Sequence, residues 1–286
     1  MQVITRESAI RGILAFLVIL FLMPLGHAFV VLMERYMTGT ALKLGAGALG
    51  GLGIVMAIAG NRLPGEAMKI LAGVFGAILF WGGWVEFIYI CYAHSIGVPP
   101  LMDGNVVYTK PEYLIMPTSI PFAALTFIIY LFMADTRWGV IIALRKWLGI
   151  SENTVARNIG TSISAFIELI LLIWWAYLIL LIEFDPGLLG VKHPLTMIFA
   201  TVCLIVGLIL FVRSLSSPNW GTALRQAIVT VCVLWTYIEV MIKLKLFTEI
   251  WIYPERYIVE MIALVFAFIA VIFIIAKTGH KNIKKK

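Results

Sequence analysis

The chain has 286 residues, 62% of them hydrophobic and 13% charged, with a formal net charge of +7 and a mean hydropathy of +1.01. So apolar a composition excludes an ordinary soluble domain. The basic residues are divided among separate loops, which argues against a nucleic-acid surface and makes the positive charge a signal of membrane topology.

The apolar residues come in long runs, each sufficient to cross roughly 30 Å of hydrocarbon with about 20 helical residues. Lipid offers the backbone no hydrogen-bond partner, so the runs are read as helices and the fold as an all-α, polytopic transmembrane bundle. About eight spans are expected, near residues 12–33, 44–60, 70–93, 117–134, 161–182, 194–212, 226–247 and 257–276. The first follows Arg6 and Arg11 as a signal peptide would, but it is too long for one and no clear small-x-small cleavage site follows. It is read as a retained helix.

The second run contains Gly45-Ala-Gly47-Ala-Leu-Gly50, which fits a dinucleotide-binding fingerprint in letters only, since no strand precedes it. Gly47 and Gly51 form a G-x-x-x-G pair instead, extended by Gly53, and imply close helix packing. Residues 97–116, with Pro99, Pro100, Asp103, Gly104 and Pro111, are expected to be too irregular for a helix and to cover an outer opening. In the polar link 135–160, Trp138–Gly149 is expected to form a short amphipathic helix with Arg145 and Lys146 turned toward headgroups. The Lys-rich tail suits contact with anionic lipid.

Fifteen of the 22 Lys and Arg residues fall on one side of this arrangement, in the segment before the first span, the loops after the second, fourth and sixth, and the tail. That side is read as cytoplasmic, with both termini there, in a cell (inner) membrane.

A self-comparison divides the chain into two sets of four helices, residues 1–134 and 161–286, joined by the cytoplasmic link 135–160. The first run ends at Met33-Glu34 with Gly39 after it, and the fifth at Ile182-Glu183 with Gly187 after it. Gly65-Glu66-Ala67-Met68-Lys69 before the third run corresponds to Gly221-Thr222-Ala223-Leu224-Arg225 before the seventh. Trp81 is followed by Glu86, and Trp235 by Glu239; Pro111-Glu112-Tyr113 corresponds to Pro254-Glu255-Arg256-Tyr257. Each half has an even number of spans, so the repeat is expected to be parallel.

Ionisable groups inside a membrane are costly and become the first functional candidates. Glu86 and Glu239 lie deep in the third and seventh runs, roughly 25 Å and 21 Å along the helix from Lys69 and Arg225 at 1.5 Å per residue. Tyr89, with Gly82, Gly83 and Ala93, is expected to share a helical face with Glu86. Trp235, Glu239 and Lys243, each four apart, form a second stripe, and His27 lies at similar depth in the first run. Glu34, Glu183, Glu112 and Glu255, at or just beyond the ends of spans, are secondary candidates that ordinary interfacial placement would explain. Glu168, in a stripe with Ser164 and Trp175, is another, nearer the cytoplasmic side. Most of the aromatics are expected to belong to an interfacial belt.

No metal-ligand spacing occurs. The three cysteines are read as packing residues, and no two histidines sit at one depth on two helices to hold a haem. No motif holds a cofactor. The leading functional expectation is a membrane subunit that binds an apolar, lipid or quinone-type ligand near the outer face, with the carboxylates exchanging protons and other membrane subunits supplying any redox centre. A proton- or cation-coupled secondary transporter is the first alternative, and a lipid-modifying membrane enzyme the second, although no nucleophile–His–acid arrangement supports it.

Overall fold

The computed structural model describes residues 3–103, 106–133, 136, 138–150 and 158–281. Gly104, residues 151–157 of the link and the tail lysines Lys284, Lys285 and Lys286 lie outside these. Eight helices are long and apolar enough to cross a membrane. They are α1 Arg6–Tyr36, α2 Gly39–Gly60, α3 Glu66–Ser95, α4 Pro111–Phe132, α6 Thr161–Phe184, α7 Pro194–Ser214, α8 Trp220–Lys243 and α9, whose membrane-length part is Ile258–Thr278. A shorter helix, α5 Gly139–Trp147, falls within the expected amphipathic segment. A helix stands at every expected span; several begin earlier than the apolar run, where polar caps start them, while α8 ends at Lys243, short of the expected 247. Thr5 and Ser8 form a reciprocal capping box before α1, with Ser8 N–H donating to Thr5 Oγ1 at 3.2 Å and Thr5 N–H to Ser8 Oγ at 3.0 Å. Asn219 accepts from Thr222 N–H at 2.9 Å at the start of α8.

The segment 97–116 is more regular than its composition implied. Leu101–Asp103 and Val106–Thr109 pair as an antiparallel hairpin, β1 and β2, and a helical turn, Pro111–Ile115, follows to open α4. The Val-Val-Tyr-Thr run suits a strand. Pro111 starts a helix without loss because the first N–H groups have no intrahelical partner.

The helices group into two compact units, residues 1–45, 62–71 and 182–286 in one and residues 46–61 and 72–181 in the other. The first holds α1, α7, α8 and α9. The second holds most of α2 and α3 together with α4, α5 and most of α6. These units do not coincide with the two sequence halves.

Within the first unit, α1 packs along α8 and α9, and α8 along α7. Gly12 permits close approach: a Cβ there would lie 2.6 Å from Ser214 O. Arg11 reaches past the end of α7 to donate to Ser217 O at 2.8 Å. At the other end of α1, Arg35 pairs with Glu255 and donates to Ile252 O at 2.9 Å. The Glu255 carboxyl is held below the usual carboxylate range, first by its own backbone N–H and further by Arg35 and Tyr36, against an opposing push from desolvation. A depressed carboxyl stabilises the fold above its ordinary pKa of 4.5, and that contribution disappears as pH falls through the lower folded value. Glu255→Gln is therefore expected to lower the detergent melting temperature slightly at pH 7, by an amount that shrinks as pH is taken down below 4.5. A difference that does not change with pH would show that the pair contributes nothing through its charge.

Within the second unit, Gly53 of α2 lies against the backbone of α3, where a Cβ would sit 2.8 Å from Phe80 N. The beginning of α6 is fixed by Asn61, whose Oδ1 accepts from Ser162 N–H at 2.8 Å. Arg145 does not reach toward headgroups. Its side chain is buried, with Nε donating to Leu131 O at 2.6 Å and Nη2 to Tyr130 O at 3.2 Å. The last carbonyls of a helix have no partners of their own, and the guanidinium supplies them. Lys146 is exposed, as the amphipathic pattern requires.

Candidate functional sites

Each unit contains a buried tryptophan surrounded by aromatic rings, with one of the two leading carboxylates one helical turn away. In the second unit that tryptophan is Trp81, 5% exposed. Tyr177 of α6 is stacked on it, with ring centres 5.5 Å apart and planes at 29°. Tyr113 stacks on Tyr177 in turn, at 5.6 Å and 28°, and Trp174 meets Trp81 edge-on at 6.2 Å. The Trp174 indole N–H is satisfied by Ser119 Oγ at 2.7 Å. Glu86 is half-buried and accepts a long hydrogen bond from the Tyr113 hydroxyl, 3.4 Å.

The turn from Trp81 to Glu86 is not α-helical. Residues Trp81–Glu86 form a π turn, with i→i+5 hydrogen bonding. Of the expected shared face, Gly82 and Gly83 lie within this turn and lose α-helical register, while Glu86, Tyr89 and Ala93 continue into the α-helical Phe87–Ser95 with their spacing intact. Gly83 lies against Gly50 and Ala46 of α2, where a Cβ would be 2.8 Å from Ala46 O. Tyr89 is half-buried beyond the turn.

In the first unit the central tryptophan is Trp235, 7% exposed. His27 of α1 is stacked on it at 6.0 Å and 26°. Trp251, from the segment preceding α9, lies 5.2 Å from Trp235 and 6.5 Å from His27. Glu239 is half-buried and accepts the Trp235 indole N–H at 2.8 Å, an i, i+4 bond within α8. His27 Nδ1 is 2.9 Å from Met23 O. A carbonyl only accepts, so Nδ1 carries the proton and Nε2 of the neutral ring is an acceptor. Lys243 closes α8 with its ammonium 5.6 Å from the centre of the Phe184 ring.

The belt reading of the aromatics needs correction at Trp81 and Trp235, which are buried among other rings. Trp81, Trp174, Tyr177, Trp235 and Trp251 make specific ring contacts within the units. Hydropathy could not reveal this, because a tryptophan within an apolar run has the same local sequence whether it faces lipid or another helix.

Glu168 is enclosed in a network of hydroxyl groups. It is 3% exposed, and its Oε1 lies 2.8 Å from the Tyr130 hydroxyl, 2.7 Å from Thr136 Oγ1 and 3.0 Å from Ser164 Oγ. Tyr130 and Ser164 are also 2.7 Å from each other. The stripe of Ser164 and Glu168 was legible in the sequence. Tyr130 and Thr136 come from around the end of α4, 38 and 32 residues away, and no local pattern joined them to it.

The remaining carboxylates differ in surroundings. Glu112 is buried, with Lys110 Nζ 3.7 Å away. Glu183 is 8% exposed, and its Oε2 is buried without a hydrogen-bond partner. Glu34 is half-buried. Among the described residues no group of three His, Cys, Asp or Glu side chains is placed to hold a metal ion.

Helices of this number, length and apolarity define a multi-pass membrane protein. No protein-family model, curated protein or solved structure matches the chain. The functional reading consequently rests on its own residues.

Proposed function

We propose that the chain is a membrane-embedded subunit that binds an apolar, quinone-type or lipid ligand beside Glu86 and Glu239, which exchange protons with it, while partner subunits supply the redox centre. The observation that carries this reading is the pairing, in each unit, of a half-buried carboxylate with a buried tryptophan and a ring stacked on it from another helix. Aromatic faces accommodate a planar apolar headgroup, and a carboxylate at membrane depth is a natural proton carrier because its charged form is costly there. The distribution of basic residues supports a cell (inner) membrane location with both termini on the cytoplasmic side and these clusters toward the outer face. The four sequence correspondences support a parallel duplication of four helices.

Purification in mild detergent is expected to bring down redox subunits and bound quinone. Glu86→Gln and Glu239→Gln, which keep shape and remove the titratable group, are each expected to lower quinone-linked turnover on the order of 100-fold. Wild-type turnover in both variants would sink the proton-exchange role.

One observation favours transport as a second reading. The π turn interrupts α3 beside Glu86, and irregular helix turns at membrane depth are a mark of transporter binding sites. Solute uptake into proteoliposomes that collapses with the proton gradient, without any redox partner, would favour that alternative.

A further inference from the structure

The two units are built alike in ways that go beyond the sequence correspondences. Gly53 of α2 meets Phe80 of α3, and Gly207 of α7 meets Leu234 of α8. The two glycines, their two partners and the tryptophans that follow, Trp81 and Trp235, are all separated by 154 residues. The end of α2 at Gly60 meets the beginning of α6 at Ser162, as the end of α7 at Ser214 meets the beginning of α1 at Gly12. Tyr177 stacks on Trp81 at 5.5 Å and 29°; His27 stacks on Trp235 at 6.0 Å and 26°. Gly12 and Ser162 are 150 residues apart, and so are His27 and Tyr177.

These contacts follow one rule. The first helix of each sequence half packs with the later helices of the opposite half. That is why the compact units, α7, α8 and α9 with α1, and α2, α3 and α4 with α6, cut across the halves. The step from tryptophan to carboxylate is the one that differs, five residues in α3 and four in α8. An extra residue in an unbroken α-helix would turn the carboxylate aside by about 100°. The π turn Trp81–Glu86 absorbs it, since one i→i+5 turn returns Glu86 to the face that one i→i+4 turn gives Glu239.

We propose that the chain is a tandem duplication whose halves have exchanged their first helices, and that it consequently holds two equivalent sites for planar, ring-bearing apolar molecules. One site is built from Trp81, Glu86 and Tyr113 and completed by Tyr177. The other is built from Trp235, Glu239 and Trp251 and completed by His27. This rests on the ligand class inferred above. The third ring comes from the first turn of α4 in one unit, Tyr113, and from the segment before α9 in the other, Trp251, so these two rings are not at corresponding positions.

The test titrates the purified full-length chain in detergent with a decyl-tailed benzoquinone, read by tryptophan quenching and by equilibrium dialysis. Two molecules are expected per chain. Tyr177→Leu and His27→Leu, which keep most of the side-chain volume, are each expected to leave one, and the double substitution none. A single molecule on the wild-type chain, or loss of the same molecule in both variants, overturns the two-site inference and leaves the ligand class standing. No binding to the wild-type chain overturns the ligand class and this inference with it. The register is tested without a ligand. Deleting Val85 should convert the π turn to α-helix and give folded yield and melting close to wild type, whereas deleting Tyr237 from the four-residue step of α8 should abolish folding. Equal damage from the two deletions overturns the duplication.

Discussion

Glu168→Ala is expected to destabilise the protein by about 4 kcal/mol. Three hydroxyls converge on Oε1 of this buried carboxyl, and a buried donor left without an acceptor costs about 1–3 kcal/mol. Tyr130 and Ser164, already 2.7 Å apart, recover one bond between themselves, so the loss is less than three full penalties. Thr136 accepts the Trp138 backbone N–H at 3.0 Å, which links the network to the beginning of α5. Loosening should therefore extend to the Arg145 contacts that hold α5 against the end of α4. Glu168→Gln retains an acceptor oxygen and should lose roughly half as much, and Tyr130→Phe about 1–2 kcal/mol. Unfolding by increasing SDS fraction in mixed micelles measures all three. An alanine variant within about 0.5 kcal/mol of wild type would show that the network is not structural.

Gly53→Leu is expected to prevent native packing of α2 on α3. Even a Cβ at this position comes 2.8 Å from Phe80 N and 3.2 Å from Phe80 Cα, and backbone cannot retreat by changing rotamer. Overpacking of this kind costs about 1–3 kcal/mol for a small addition and more for a large one. In lipid the burden is heavier, because helices associate there through close packing of small residues and not through exclusion of water. Gly53→Ala should accordingly cost about 2 kcal/mol. Gly207→Ala should cost less, since a Cβ there meets the Cδ2 and Cγ atoms of the Leu234 side chain, which can change rotamer, and not backbone at that range. Gly47→Ala is the control: neither Gly47 nor Gly51 has anything within 4 Å of an added Cβ, so the expected G-x-x-x-G pair does not make the close contact, and Gly50 and Gly53 do. If Gly53→Ala and Gly47→Ala proved equally stable, the close approach of α2 to α3 would be in error.

Local sequence carried the helical architecture because each span is long, apolar and bounded by charge, and lipid leaves the backbone no alternative to helix. It also marked Trp81–Glu86 and Trp235–Glu239 as corresponding pairs, and the unequal spacing within them was visible before its cause was. The π turn that reconciles the spacing was not legible, because a one-residue difference in a helix can equally mean a rotated side chain. The strand Val106–Thr109 was missed since proline and glycine dominate its surroundings. Arg145 was misplaced because an amphipathic pattern shows which face is charged and not whether a carbonyl lies within reach.

Buried tryptophans flanked by stacked rings were the feature most hidden by composition. Trp81 and Trp235 are of the residue type that also anchors helices at headgroups, and only the position of α6 or α1 beside them distinguishes the two roles. The sequence by itself determined that this chain is a bundle of membrane-length helices with a few costly carboxylates inside it, because burial in lipid acts on each helix separately. The tertiary structure decided which rings meet which carboxylates, and that α1 and α6 pack with the later helices of the opposite half. The helix contacts among them join residues far apart in the chain, 96 positions for Trp81 and Tyr177 and 208 for His27 and Trp235, and their energies depend on shapes that no local pattern encodes.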